Sequence, residues 1–99
     1  MLNHKNQIGI LICGTGVGMA MVANRFKGIY AVHANDPAVA YFARRHENAN
    51  VLVLGAGYND DKYKVKLSYS KIKLIIDAFL DTDFEGGRHT RRVDKINNI

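Results

Sequence analysis

The run Ile8-Gly-Ile-Leu-Ile-Cys13, broken off by Gly14-Thr-Gly-Val-Gly18, constrains this chain more than any other feature. Its apolar, β-branched residues follow one another without polar alternation, which predicts a strand buried on both faces. Glycines at alternating positions end that strand in a tight turn, and Met19–Lys27 then supplies good helix formers up to a stop at Gly28. The same order recurs. Ile29-Tyr-Ala-Val-His33 predicts a second strand, and Asn35-Asp-Pro37 a cap and first-turn proline for a helix to about Arg45. Asn50-Val-Leu-Val-Leu-Gly55 predicts a third buried strand. Lysine and aspartate dominate Tyr58–Lys66, which reads as an exposed loop or irregular helix start, before Ser70–Leu80 recovers helical spacing through Ile72, Ile75, Ile76 and Phe79. Glu85-Gly-Gly87 predicts a turn and Thr90–Ile99 a short final helix.

Strands alternating with helices predict an α/β, Rossmann-like three-layer α/β/α fold with a parallel sheet, as one domain over residues 1–99. Three strands make a small sheet for that architecture. The expectation is therefore a sheet completed by another chain, or a domain truncated at its N-terminus. The apolar runs are far shorter than the ~20 residues that cross a bilayer, and no secretory signal layout opens the chain, so no membrane partner is expected. Its one cysteine excludes an intrachain disulfide and a thiolate metal site, and fits a reducing, cytoplasmic setting. The net charge of +5 names an anionic partner. Aromatic residues do not interleave with the basic ones as a single-strand stacking platform requires, so a small phosphorylated anion is expected rather than nucleic acid.

In open parallel sheets ligands bind beyond the carboxyl ends of the strands, where Cys13-Gly-Thr-Gly-Val-Gly18 is expected to lie. Glycines there let several N–H groups converge on an oxyanion, enolate or phosphate, with a helix N-terminus behind them. The turn is neither a P-loop, which needs a lysine that is missing, nor a dinucleotide fingerprint, because methionines at 19 and 21 occupy the positions of its last glycine. Asp36, at the end of strand two, leaves a ribose-binding acid conceivable. Cys13 would be favoured as thiolate by the surrounding N–H dipoles, which suits a nucleophile or a carbon-acid base; the plainer alternative is a small buried side chain. His46 is either a helix C-cap or a proton shuttle at the same sheet edge. Arg88 and Arg92 lie four apart and on one helical face would grip one phosphate, or else form a solvated basic surface. His4 and His33 receive no role.

Taken together, Gly9–Gly18, Ala23-Asn24, His46 with Asn50-Val-Leu, and Phe84-Glu-Gly-Gly-Arg-His-Thr-Arg-Arg-Val93 resemble the sugar-phosphate isomerase family of ribose-5-phosphate isomerase B and galactose-6-phosphate isomerase. The resemblance runs from about Ile8 to Ile96. It implies that Cys13 moves a proton between two sugar carbons and that Gly14, Gly16, Val17 and Gly18 form the anion hole with Thr15 beside it. His46 matches the ring-opening histidine, and Arg88, His89 and Arg92 match phosphate-side positions. Met19 stands where the glutamate-dependent branch carries its base, so the chain resembles the cysteine type. Aldose–ketose isomerisation through an enediolate needs a base, oxyanion donors and a phosphate clamp, with neither metal nor redox cofactor. The resemblance further implies a homodimer or larger homo-oligomer with sites between subunits. Family members begin with a strand ending in Asp-His, a helix and another strand, which this sequence lacks. Glu47 replaces the asparagine after the ring-opening histidine, Tyr30 replaces an arginine, and Asn59–Lys66 reads as an insertion. The expected activity interconverts ribose 5-phosphate and ribulose 5-phosphate in the pentose phosphate pathway. The alternatives are a six-carbon substrate, galactose 6-phosphate or allose 6-phosphate, and a non-catalytic truncated phosphate-binding domain.

Overall fold

The computed structural model describes residues 7–97. In chain order these form β1 (Gly9–Cys13), α1 (Val17–Ala23), β2 (Ala31–His33), α2 (Pro37–Glu47), β3 (Val51–Gly55), β4 (Gly57–Asn59), β5 (Lys64–Lys66), α3 (Tyr69–Leu80), a 3-10 turn (Gly87–His89) and α4 (Thr90–Asn97). Asn98 and Ile99 of the expected last helix, and His4, lie outside the described residues.

The expected parallel sheet is present, in the order β1-β3-β2. Gly9 pairs with Val51 and Cys13 with Gly55 on one side of β3, Ala31 with Val51 and His33 with Val53 on the other. The first crossover passes over β3 to reach β2 and the second returns. α1 lies on the face of Leu11 and Val51 and α2 on the face of Leu52 and Leu54, the opposite-face placement that two connections of the usual right hand produce. β3, buried along its whole length, is the core strand. Its Leu52 and Leu54 pack with Ala40 and Ala43 of α2 and with Ile75 and Phe79 of α3. Each such large side chain contributes about 1.5–3 kcal/mol by leaving water. The caps follow the sequence: Asp36 accepts from Val39 N–H ahead of Pro37, and Ser68 accepts from Lys71 N–H at the start of α3.

Three expectations need correction. β1 is not buried on both faces: it is an outer strand of the sheet formed by the described residues, and Ile10 and Ile12 remain 37% and 59% exposed. α1 stops at Ala23 instead of continuing to Lys27. The Asn24 carboxamide pairs with both backbone groups of Ala31, at 2.8 and 2.7 Å, and the chain leaves the helix in turns before Gly28, whose φ is +87°. Finally, Tyr58–Lys66 is neither loop nor helix start but an antiparallel hairpin of β4 and β5.

Candidate active site

Cys13 ends β1 at the carboxyl edge of the sheet, level with Gly55 of β3. The turn that follows doubles back on its own thiol: Gly16 N–H donates to Cys13 Sγ at 3.1 Å. Gly16 has φ +86°, and a side chain there would strike the His33 ring, its Cδ2 at 2.6 Å. The turn also crosses Gly55 closely, for a Cβ on Gly55 would lie 2.2 Å from the Thr15 carbonyl oxygen. Thr15 Oγ1 accepts from Val17 N–H at 3.3 Å, leaving the hydroxyl proton for an outside acceptor. α1 has only seven residues, so the individual N–H groups of the turn matter more than a long helix dipole. His33, left without a role in the sequence reading, ends β2 and belongs to this edge. The available signal was its place as the last residue of a parallel strand.

His46 lies elsewhere. α2 begins beyond the carboxyl end of β2 and runs back, so its last turn reaches the amino edge, where Arg44 Nη1 donates to the Ala49 carbonyl just ahead of β3. The expected proton shuttle at the same edge as Cys13 is thus corrected: the five residues of β3, a rise of ~13 Å, stand between the two edges.

At the amino edge a second cluster forms. His46 stacks on His89 with ring centroids 4.3 Å apart and planes at 18°. Glu85 N–H donates to the Arg45 carbonyl at 2.9 Å, which brings the Glu85 carboxylate 3.2 Å from His89 Nε2 and 3.9 Å from both His46 Nε2 and Arg45 Nε. Arg92 Nη2 lies 2.6 Å from His89 Nδ1, while Arg88 Nε is 3.3 Å from His89 Nε2. A guanidinium only donates, so Arg92 calls for an acceptor at Nδ1 and Arg88 for one at Nε2, while Glu85 calls for a proton on Nε2. The shorter Arg92 contact and the Glu85 contact are met together when Nδ1 accepts and Nε2 carries the proton, which leaves the 3.3 Å Arg88 contact unmet. Arg88 and Arg92 therefore flank a buried imidazole rather than lying side by side.

Among the described residues, His46, Glu85 and His89 are the one group with ligand atoms mutually within 4.8 Å, as a metal would need. Ligation by a neutral His89 through Nε2 would leave the ring proton on Nδ1, facing the Arg92 guanidinium. With three guanidinium groups around it, the cluster suits an anion better than a cation.

Binding beyond the carboxyl ends of parallel strands is the habit of α/β enzymes that take small anionic ligands, and the chain is built on that plan. More particularly, it belongs to the Ribose/Galactose Isomerase family, whose model matches residues 1–96. It is 47% identical to the "Probable ribose-5-phosphate isomerase B" of Mycoplasma genitalium, over 95% of this chain and 57% of the relative. The solved ribose-5-phosphate isomerase B from Mycoplasma genitalium with bound ribulose-5-phosphate superposes with TM-score 0.77 at 46% identity, over 92% of this chain and 55% of that one. Another relative, 44% identical over 93% of this chain and 55% of its own length, is the D-erythrulose-4-phosphate isomerase of Pectobacterium atrosepticum. The chain thus spans little more than half the length of the curated relatives it matches.

Proposed function

We propose that this chain carries the thiol half and the phosphate half of an aldose–ketose isomerase site, which two copies bring together. The observation that carries this reading is the Cys13 thiol held by Gly16 N–H in a glycine turn at the carboxyl edge of the sheet. With ribose 5-phosphate as substrate, Cys13 removes the proton from C2 as the C1 carbonyl becomes an enediolate oxygen. The Thr15 hydroxyl and the N–H groups of the Gly14–Gly18 turn other than those of Gly16 and Val17, which Cys13 Sγ and Thr15 Oγ1 already hold, stabilise that oxygen. Return of that proton to C1, with the O2 hydroxyl proton passing to O1 as the C2 carbonyl forms, gives ribulose 5-phosphate, so atoms and electrons balance without a redox cofactor. His46 opens the sugar ring, and Arg88 and Arg92, positioned by His89, hold the phosphate. On this reading the protein works in the cytoplasm, in the pentose phosphate pathway, as its single cysteine and its sugar-phosphate chemistry suit.

The separation of the two clusters along β3 supports a site shared between copies, because one small substrate does not bridge both edges of one sheet. A complementation assay tests it. Cys13→Ser removes the base, since a serine hydroxyl is far too weak an acid for the role, and should abolish turnover. Arg92→Ala should weaken the phosphorylated substrate and spare free ribose. Mixing inactive Cys13→Ser with inactive His46→Gln protein should restore activity to about a quarter of wild type, as random pairing in a symmetric dimer leaves one intact site in each mixed pair. No recovery on mixing would place the whole site in one copy, and full turnover by Cys13→Ser would remove the thiol from the mechanism. The substrate length has a second reading, a six-carbon or four-carbon sugar phosphate. The D-erythrulose-4-phosphate relative favours testing it, because it is nearly as similar as the five-carbon one.

A further inference from the structure

The sheet ladder does not stop at Gly55. Ala56 N–H donates to the Cys13 carbonyl at 2.8 Å and Gly57 N–H to the Gly14 carbonyl at 3.1 Å, so the chain runs on beside the thiol into the glycine turn. There it becomes β4 and folds back as β5, with Tyr58 opposite Val65. The reversal is firmly built: the Asp60 carboxylate accepts from the backbone N–H groups of Lys62 and Tyr63, both at 2.8 Å. Every residue of β4 and β5 is exposed, so burial of an apolar face does not explain the hairpin.

What it does touch is the turn. A side chain on Gly14 would meet Tyr58 Cβ at 3.3 Å and Cδ2 at 3.4 Å. Gly14 is not among the residues of positive φ, so the backbone angle does not demand glycine there, but a side chain would press on Tyr58 unless that residue shifted by a few tenths of an ångström. Tyr58, still 60% exposed, lies against Gly14, the chain neighbour of Cys13, on a braced support.

We propose that Tyr58 is a specificity-determining residue, a wall that limits the size of the group reaching Cys13 and so the length of sugar chain accepted. The claim about sugar length rests on the isomerase reading; the claim about access to the thiol does not. A pocket wall that sets substrate length typically changes discrimination by ~10–200-fold when a group is removed.

Cys13 is the only cysteine in the sequence, so alkylation reports on it alone. Rates with iodoacetamide, a small reagent, and N-(1-pyrenyl)maleimide, a bulky one, are compared in wild type, Tyr58→Ala and Tyr58→Phe. Tyr58→Ala should raise the bulky rate by about tenfold and the small rate by less than about twofold, while Tyr58→Phe keeps the wild-type ratio. An unchanged bulky rate overturns the proposal. So does a parallel rise of both rates, which marks a loosened turn rather than a removed wall. Turnover is then read separately on five- and six-carbon sugar phosphates. A labelling change in protein without isomerase activity keeps the wall and removes the isomerase reading. In active protein the six- to five-carbon ratio of kcat/KM should rise in Tyr58→Ala, and an unchanged ratio overturns the role in sugar length.

Discussion

Gly16, Gly18 and Gly55 read alike in the sequence, and their surroundings separate them. Gly55 is needed for close approach: an added Cβ would lie 2.2 Å from the Thr15 oxygen and 2.6 Å from its carbonyl carbon, backbone atoms that have no rotamer to move. Gly55→Ala should cost about 1–3 kcal/mol in urea unfolding and displace the turn that holds Sγ. Gly18 is the opposite case. It sits inside α1 without positive φ, and a Cβ there would meet nothing within 4 Å. Gly18→Ala should therefore stabilise the fold by about 0.5–1 kcal/mol, since glycine is a poor helix residue. If the open space beside it receives substrate, the same variant loses activity; a lowered unfolding midpoint would show that the space is not open. Cys13 and its glycine turn were legible because strand, break and helix are local signals. The parts played by His33 and Tyr58 were not legible, because each acts on a glycine remote from it in sequence, Gly16 and Gly14 respectively.

Helices and strands were legible where hydrophobic runs and caps agree, as at Asp36 and Ser68, whose side chains cap α2 and α3. The hairpin was missed because Gly57–Lys66 carries one β-branched residue, Val65, and no buried face; its order comes from the turn at Asp60 and the ladder to Cys13 and Gly14. His46 was assigned to the wrong edge for a directional reason: a helix that leads into a parallel strand ends at that strand's amino end. α2 and α3 are joined by Arg44, which donates to the carbonyls of Ala49 at 2.5 Å and Thr82 at 3.2 Å and lies over the Phe79 ring. Burial lowers the Arg44 pKa and nearby Asp83 partly restores it. Arg44→Ala should cost about 1.5–3 kcal/mol, and Arg44→Lys should recover only part, because an ammonium does not reproduce the planar fork. At the hairpin tip, backbone N–H bonds from Tyr63 and then Lys62 lower the Asp60 pKa from 3.8. A lowered folded pKa stabilises the turn above the unfolded value and loses that effect as the pH falls through the folded one. Carboxyl NMR of Asp60 should show a midpoint below that of the unfolded chain; one at or above it would remove the turn's dependence on this carboxylate.

For the molecule as a whole, the exposed apolar surface has a consistent placement. β1 has no second strand partner among the described residues, Ile12 is 59% exposed on its face, and Met21 and Val22 of α1 are 69% and 60% exposed. An apolar groove of about 350 Å³ between β1 and α1 is lined by Leu11, Met19, Val22 and Phe26. Uncovered edges and apolar faces favour association, so sedimentation at micromolar concentration should find a dimer or larger assembly. A cooperative monomer near 11.1 kDa would overturn that expectation. The strand order β1-β3-β2 also dictates the order in which the sheet is made. Its central strand comes last, and Gly9 must wait for Val51 to find its partner. Until then β1 and β2 have no neighbour to pair with among the described residues, whereas α2 is a local structure able to form early. During synthesis, a nascent chain ending at Asn50 holds both flanks of a sheet and no middle. The five residues of β3 then convert an unpaired, aggregation-prone chain into a domain, so the folding risk is concentrated in the interval before they emerge.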